Sequence, residues 1–299
     1  LPVGQATAGT ERLFFAMQKV IDIHVHMQPL EMMKPACIAV MRSQQHDFDR
    51  ILELAGDPRK FVALLDREGI ERAGIINYVS PVVMGFTEEV NDWAAAYTRD
   101  FRDRLLPFGS LDPTTVRDPA AAMARIINDL RLPALKLHPP HQLFYPNQYR
   151  DGLQALEIIY RMAEEARLPV MIHTGTSVFP GARNKYADPI YVDDVAVDFP
   201  QLPIIIAHGG RPLWTETATF LLRRHRNVYM DISSIPPQNL LEYFPRLEQL
   251  ADKVLWGSDW PGPRVPGMGA NLERFCQLPL SEPAKQRILY DNAARLFGL

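Results

Sequence analysis

The chain has 299 residues, 47% of them hydrophobic, and a formal net charge of −3 with both signs mixed along its length. That is enough apolar material for a large core, and it leaves no basic stripe for nucleic acid, no polybasic tract for a membrane surface and no apolar run near the roughly 18 residues of a membrane span. The two cysteines, Cys37 and Cys276, form no CxxC pair and no disulfide framework, which fits a reducing cytoplasm.

Residues 1–16 place Glu11 and Arg12 before a short Leu13-Phe14-Phe15 run. They make a poor signal peptide and read as a disordered extension or a cloning remnant. From there, apolar β-branched runs alternate with stretches of helical periodicity. Strands are expected at Val20–Val25, Ala73–Val79, Leu105–Leu111, Ala134–His138, Pro169–His173, Leu202–His208, Asn227–Ile232 and Lys253–Asp259. Helices are expected at Glu88–Arg104, Pro119–Leu130, Gly152–Ala166, Val192–Phe199, Trp214–Arg224, Gln238–Leu250 and Ser281–Phe297, the last with Ser281 as its N-cap. Eight alternations, with no GxGxxG after the first strand, point to an α/β protein: one (β/α)8 TIM barrel over residues 17–299 rather than a doubly wound sheet.

Most strand starts fall about 24 to 35 residues apart, but the first two are about 50 apart. The excess, residues 27–58, is Met-rich and is expected to form an irregular flap over the C-terminal mouth, where barrel enzymes keep their sites. A second long loop, Thr174–Pro189, leaves the fifth strand at the same mouth.

Polar residues end several of these runs. His24 and His26 end the first strand, one residue apart and so on one face. Lys136 and His138 end the fourth, His173 the fifth, His208 the sixth and Asp259 the eighth. Parallel strands bring these ends to one rim. Several neutral imidazoles with a carboxylate suit zinc or iron better than calcium or magnesium. His141 reads as a loop residue, and His46 and His225 as solvated. Arg183 and Lys185 add cations beside the mouth, where an arginine fork suits an anionic group. Trp214, Trp256 and Trp260 fit either a substrate wall or barrel packing.

His24-Val25-His26, a lone histidine on the fifth strand, His208-Gly209-Gly210 and Gly257-Ser258-Asp259-Trp260-Pro261 together resemble the amidohydrolase superfamily. More narrowly, they resemble the branch that holds aminocarboxymuconate-semialdehyde decarboxylase and the resorcylate decarboxylases alongside hydrolases. The resemblance runs from Val20 to the closing NAARLFGL helix and implies a distorted TIM barrel. It implies that His24, His26, His173 and Asp259 bind one divalent metal, zinc first, with manganese or iron as alternatives and a second ion less expected. Asp259 and His208 would be the catalytic residues, His208 as acid, base or electrophile. Lys136, His138 and Arg183 would bind substrate, with Lys136 otherwise a carbamate ligand or an ion-pair partner. The expected activity is hydrolysis of an amide, ester or lactone carbonyl in a small anionic substrate by metal-activated water. The alternative on the same ligands is non-oxidative decarboxylation of a small aromatic or unsaturated acid. A homodimer or larger assembly is implied as well.

Overall fold

A computed structural model describes residues 19–299, so the expectation for residues 1–16 lies outside the described residues. The eight expected strands all form: β1 Ile21–Val25, β2 Arg72–Ile75, β3 Leu105–Gly109, β4 Ala134–Leu137, β5 Val170–His173, β6 Ile204–Ala207, β7 Val228–Asp231 and β8 Val254–Leu255. Every neighbouring pair is parallel, in the order β1 to β8. The barrel closes through backbone bonds from the end of β8 to β1. Ile23 N donates to Trp256 O at 3.1 Å, Asp259 N to His24 O at 2.8 Å, and His26 N to Trp260 O at 2.8 Å.

Among the described residues ten α-helices have six or more residues: α1 Pro35–Gln44, α2 Phe48–Gly56, α3 Pro58–Glu68, α4 Val90–Tyr97, α5 Pro119–Ala124, α6 Gln154–Glu165, α7 Val192–Asp198, α8 Thr215–Arg224, α9 Met268–Cys276 and α10 Asn292–Phe297. Their starts follow local chemistry. Asp47, Asp57 and Asp118 accept from Arg50 N, Arg59 N and Ala121 N at the heads of α2, α3 and α5. In α6 the spacing of Leu156, Ile159, Tyr160 and Ala163 turns one face onto the barrel, and each is fully buried. Burying a large apolar side chain of this kind stabilises by about 1.5–3 kcal/mol.

Two helix expectations change. Residues 27–58 are not irregular: α1 and α2 lie there, and Met33 and Met41 are buried. Gln238–Leu250 is not one helix but short turns at Pro237–Asn239, Leu240–Tyr243 and Leu247–Leu250. Pro245 interrupts it, because its ring removes a donor and excludes the helical conformation just before it. Ser281 does cap Glu282–Gln286, accepting from Ala284 N at 3.3 Å. Among the described residues no helix is long and apolar enough to cross a membrane.

Candidate metal centre and substrate cavity

The C-terminal ends of the strands open into a cavity of about 720 Å³. His26, His138, His173, His208 and Asp259 line it, with Met33, Met41 and Gln44 from the α1 region on the opposite side. Residues of the Met-rich insertion therefore form part of the cavity wall.

Asp22, His24 and His26 alternate with Ile21, Ile23 and Val25 along β1, so one face of the strand carries polar groups into the barrel. His24 Nδ1 is hydrogen-bonded to the Asp231 carboxylate, both side chains being wholly buried. A carboxylate can only accept there, so the ring proton sits on Nδ1 and the Nε2 lone pair faces the rim. At that point His24 Nε2 lies 3.2 Å from His26 Nε2 and 3.4 Å from Asp259 Oδ1, and His26 Nε2 lies 3.1 Å from the same oxygen. Burial, with Lys136 next in weight, holds the His24 imidazole well below its ordinary range. Burial pushes Asp259 up, but the hydrogen bond from His26 and the potentials of His24, His26 and Arg211 outweigh it, and the carboxylate stays ionised.

Two imidazole nitrogens and one carboxylate oxygen thus converge with a single proton at most among them. Ligands bound at about 2.0–2.2 Å to one tetrahedral ion stand about 3.3–3.6 Å apart, and somewhat closer around an octahedral one. The observed separations fit such an ion, and the donor set suits a transition metal. His173, on the neighbouring face, is not part of this converging triplet. Its ring packs at 3.8 Å on His138 and at 4.7 Å on His208, and its Nε2 lies 3.2 Å from Gly175 O.

Asp231 and Ser233, which sequence reasoning passed over, organise the floor. Asp231 ends the apolar run of β7 just as His173 ends β5, and that signal was there to be read. Its carboxylate accepts from Ser233 N at 2.7 Å and Ser233 Oγ at 2.8 Å. Burial pushes it up, while those bonds and the nearby Lys136 hold it down. Since the Ser233 hydroxyl donates to Asp231, it accepts from His208 Nδ1 at 2.8 Å, and Ser233 O accepts there too at 3.2 Å. His208 therefore carries its proton on Nδ1 and offers a bare Nε2. Two site residues, His208 at φ 64° and Asp259 at φ 67°, occupy the left-handed region without being glycine, a strain that recurs at functional sites. Gly257 leaves the room these groups need, for a Cβ there would sit 2.7 Å from Asp231 Oδ1 and 2.8 Å from His24 Cβ.

Lys136 is fully buried below the rim and does not line the cavity. Its Nζ is 3.5 Å from His24 Nε2 and 3.4 Å from Met171 Sδ. Burial lowers it to about 8, against the pull of Asp231 and Asp259. In this position the ammonium reaches the metal-ligand side rather than a substrate in the cavity. His138 does line the cavity, stacked between His141 and His173. Arg183 is exposed and outside the cavity, because its backbone N is tied to Pro140 O at 2.9 Å and its side chain runs to solvent. A cation that does line the cavity is Arg211, three residues past His208. Its guanidinium donates to Thr176 O at 2.6 Å and Ser234 Oγ at 2.8 Å. Gly175 permits this approach: it sits at φ 85°, and a Cβ would lie 2.4 Å from Arg211 O.

Two of the remaining histidines differ from expectation. His141 is buried on the helical turn Pro139–Gln142, and His225 is nearly buried against Asp193 at 2.7 Å, because both found hydrogen-bond partners; His46 is exposed as expected. Trp256 is packed in the core, and neither Trp214 nor Trp260 lines the main cavity.

The comparisons with known proteins agree with this geometry. A family model described as amidohydrolase matches residues 21–299. A 2-pyrone-4,6-dicarboxylate hydrolase of Comamonas testosteroni is 28% identical over 142 residues, 34% of this chain and 46% of that protein. A 4-sulfomuconolactone hydrolase of Rhizobium radiobacter is 29% identical over 124 residues, 33% of this chain and 40% of that protein. Each match thus spans less than half of the relative's own length. The solved structure of 2,6-dihydroxybenzoate decarboxylase from Rhizobium superposes with a TM-score of 0.66 at 19% identity, covering 94% of this chain and 99% of that one, which shows a shared fold. With the family model spanning nearly every described residue, the chain belongs to the amidohydrolase family.

Proposed function

We propose that this protein hydrolyses the ester carbonyl of a small anionic lactone at a divalent metal centre. The observation that carries the reading is the convergence of His24 Nε2, His26 Nε2 and Asp259 Oδ1 at 3.1–3.4 Å beside a cavity with Arg211 in its wall. Those three residues would hold the ion, with His173 as a fourth ligand, and zinc is the first candidate, before manganese or iron. Bound there, the ion supplies Lewis acidity toward a carbonyl oxygen and toward water.

The chain's own groups do the rest. Arg211 keeps its charge and offers its remaining donors to a substrate carboxylate, and its bonds to Thr176 and Ser234 hold the fork in place. His208, set between His24 and His173, takes a proton from the attacking water at its bare Nε2 and returns it to the oxygen that leaves as the ring opens. Asp259, ionised on the same cavity rim, is the second acceptor. The carboxylate- and sulfo-bearing lactones named for the two relatives support this substrate class.

The test is a panel of lactones, starting with 2-pyrone-4,6-dicarboxylate, given to metal-loaded protein with proton release and carbon dioxide followed separately. Proton release without carbon dioxide is expected. Carbon dioxide from an aromatic or unsaturated acid, with no lactone opened, would replace hydrolysis by decarboxylation.

A further inference from the structure

We propose that Ser177 presents its hydroxyl proton to the substrate's carboxylate beside Arg211, and that Tyr78 and His141 fix the direction of that bond. The inference rests on the anionic-lactone reading and names the residue that recognises the anion.

Tyr78 and Ser177 both line the main cavity, joined by His141. The Tyr78 hydroxyl lies 3.1 Å from His141 Nδ1 and has no other hydrogen-bond partner among the described residues. A buried phenol keeps its proton and leaves it unsatisfied unless it donates; burial pushes this one further above its ordinary range. Tyr78 therefore donates to Nδ1, which places the imidazole proton on Nε2. That nitrogen is 2.7 Å from Ser177 Oγ and donates to it. Phe179 N donates to the same oxygen at 3.3 Å. With two donors on its lone pairs, the Ser177 hydroxyl has only its proton left to offer, and no acceptor among the described residues takes it.

The loop that carries Ser177 is fixed. Asn184 Oδ1 accepts from Ser177 N at 2.8 Å, and Asn184 Nδ2 donates to Ser177 O at 3.2 Å. The peptide just before Ser177 gives its carbonyl, Thr176 O, to Arg211. The hydroxyl and the guanidinium are thus tied to adjacent positions on one wall, so a carboxylate with two oxygens can be met by both. His138 backs His141, its ring stacked at 3.6 Å on His141 and 3.8 Å on His173. Sequence reasoning had placed His141 in a loop without a role. Here Tyr78 and His141 act through Ser177 as positioning residues.

Two independent measurements test this. In ¹⁵N-imidazole NMR of the metal-loaded protein near pH 7, His141 should be the Nε2–H tautomer, and Tyr78→Phe should abolish that preference. An Nδ1–H ring in the unmodified protein would overturn the proposal. In kinetics with 2-pyrone-4,6-dicarboxylate, Ser177→Ala should raise KM about tenfold or more while kcat changes less, and Ser177→Thr should recover most of the loss. The rise should be much smaller for the neutral methyl ester. An unchanged KM, or equal changes for acid and ester, would overturn it. If the unmodified protein opens no lactone, the hydrolase reading fails on its own, and calorimetry with isophthalate as a non-reacting dicarboxylate judges Ser177. Weaker binding in Ser177→Ala supports the proposal; equal binding in both proteins, or none to the unmodified one, overturns it.

Discussion

The Nδ1 proton of His24, on β1, is held by the carboxylate of Asp231, six strands later at the end of β7. That bond chooses the tautomer and aims Nε2 at His26 and Asp259. Outer partners of this kind commonly change metal affinity 10–100-fold when removed. Asp231→Asn should weaken metal binding about tenfold and Asp231→Ala toward a hundredfold, read by competition with a chromophoric chelator. Unchanged affinity would mean that His24 is oriented by something else.

Removal of the ion should abolish turnover, and zinc or manganese added back should restore it. His26→Ala and Asp259→Asn should each fall well short of one metal per chain by elemental analysis, because each deletes one of three donors that meet within 3.4 Å. Full occupancy in either variant removes that residue from the centre.

Arg211→Lys should raise KM about tenfold for an anionic lactone with a smaller change in kcat. A single ammonium cannot satisfy Thr176 O and Ser234 Oγ together and still face the cavity as a fork. Steady-state kinetics on acid and ester forms of one lactone checks this, since only the acid should be affected.

His141 links stability to pH. Burial first, then His26 and Lys136, lowers its imidazole to about 3, whereas the unfolded chain titrates near 6.5. A depressed folded value means stability that is full above pH 6.5 and is lost as pH falls toward 3. At pH 5 the unfolded imidazole already binds its proton, a loss of about 2 kcal/mol. His141→Gln should remove that part of the decline between pH 7 and pH 5 in urea unfolding; an identical decline in both proteins would assign it to other groups.

Strand ends were legible because a β-branched run that stops at a histidine or aspartate is a local pattern, and a parallel barrel gathers all such ends on one rim. His24, His26, His173, His208 and Asp259 were readable for that reason. Asp231 followed the same rule at the end of VYMD and was overlooked. Arg211 and Ser177 were not readable, because each depends on how a loop turns after its strand: the β5 loop sends Arg183 to solvent and brings Ser177 inward. The break at Pro245 was legible in principle, yet helical periodicity on both sides masked it.

The bonds that close the barrel run through the proposed metal ligands themselves: Asp259 N to His24 O, and His26 N to Trp260 O. The proposed donors are therefore the clasp between the first and the last strand of the barrel. No such centre can exist before β1 and the segment after β8 have come together, because His24 and Asp259 lie on those two segments. Metal capture becomes a report on completed folding, and a chain cut short before its final strand is left without the centre rather than with a weakened one.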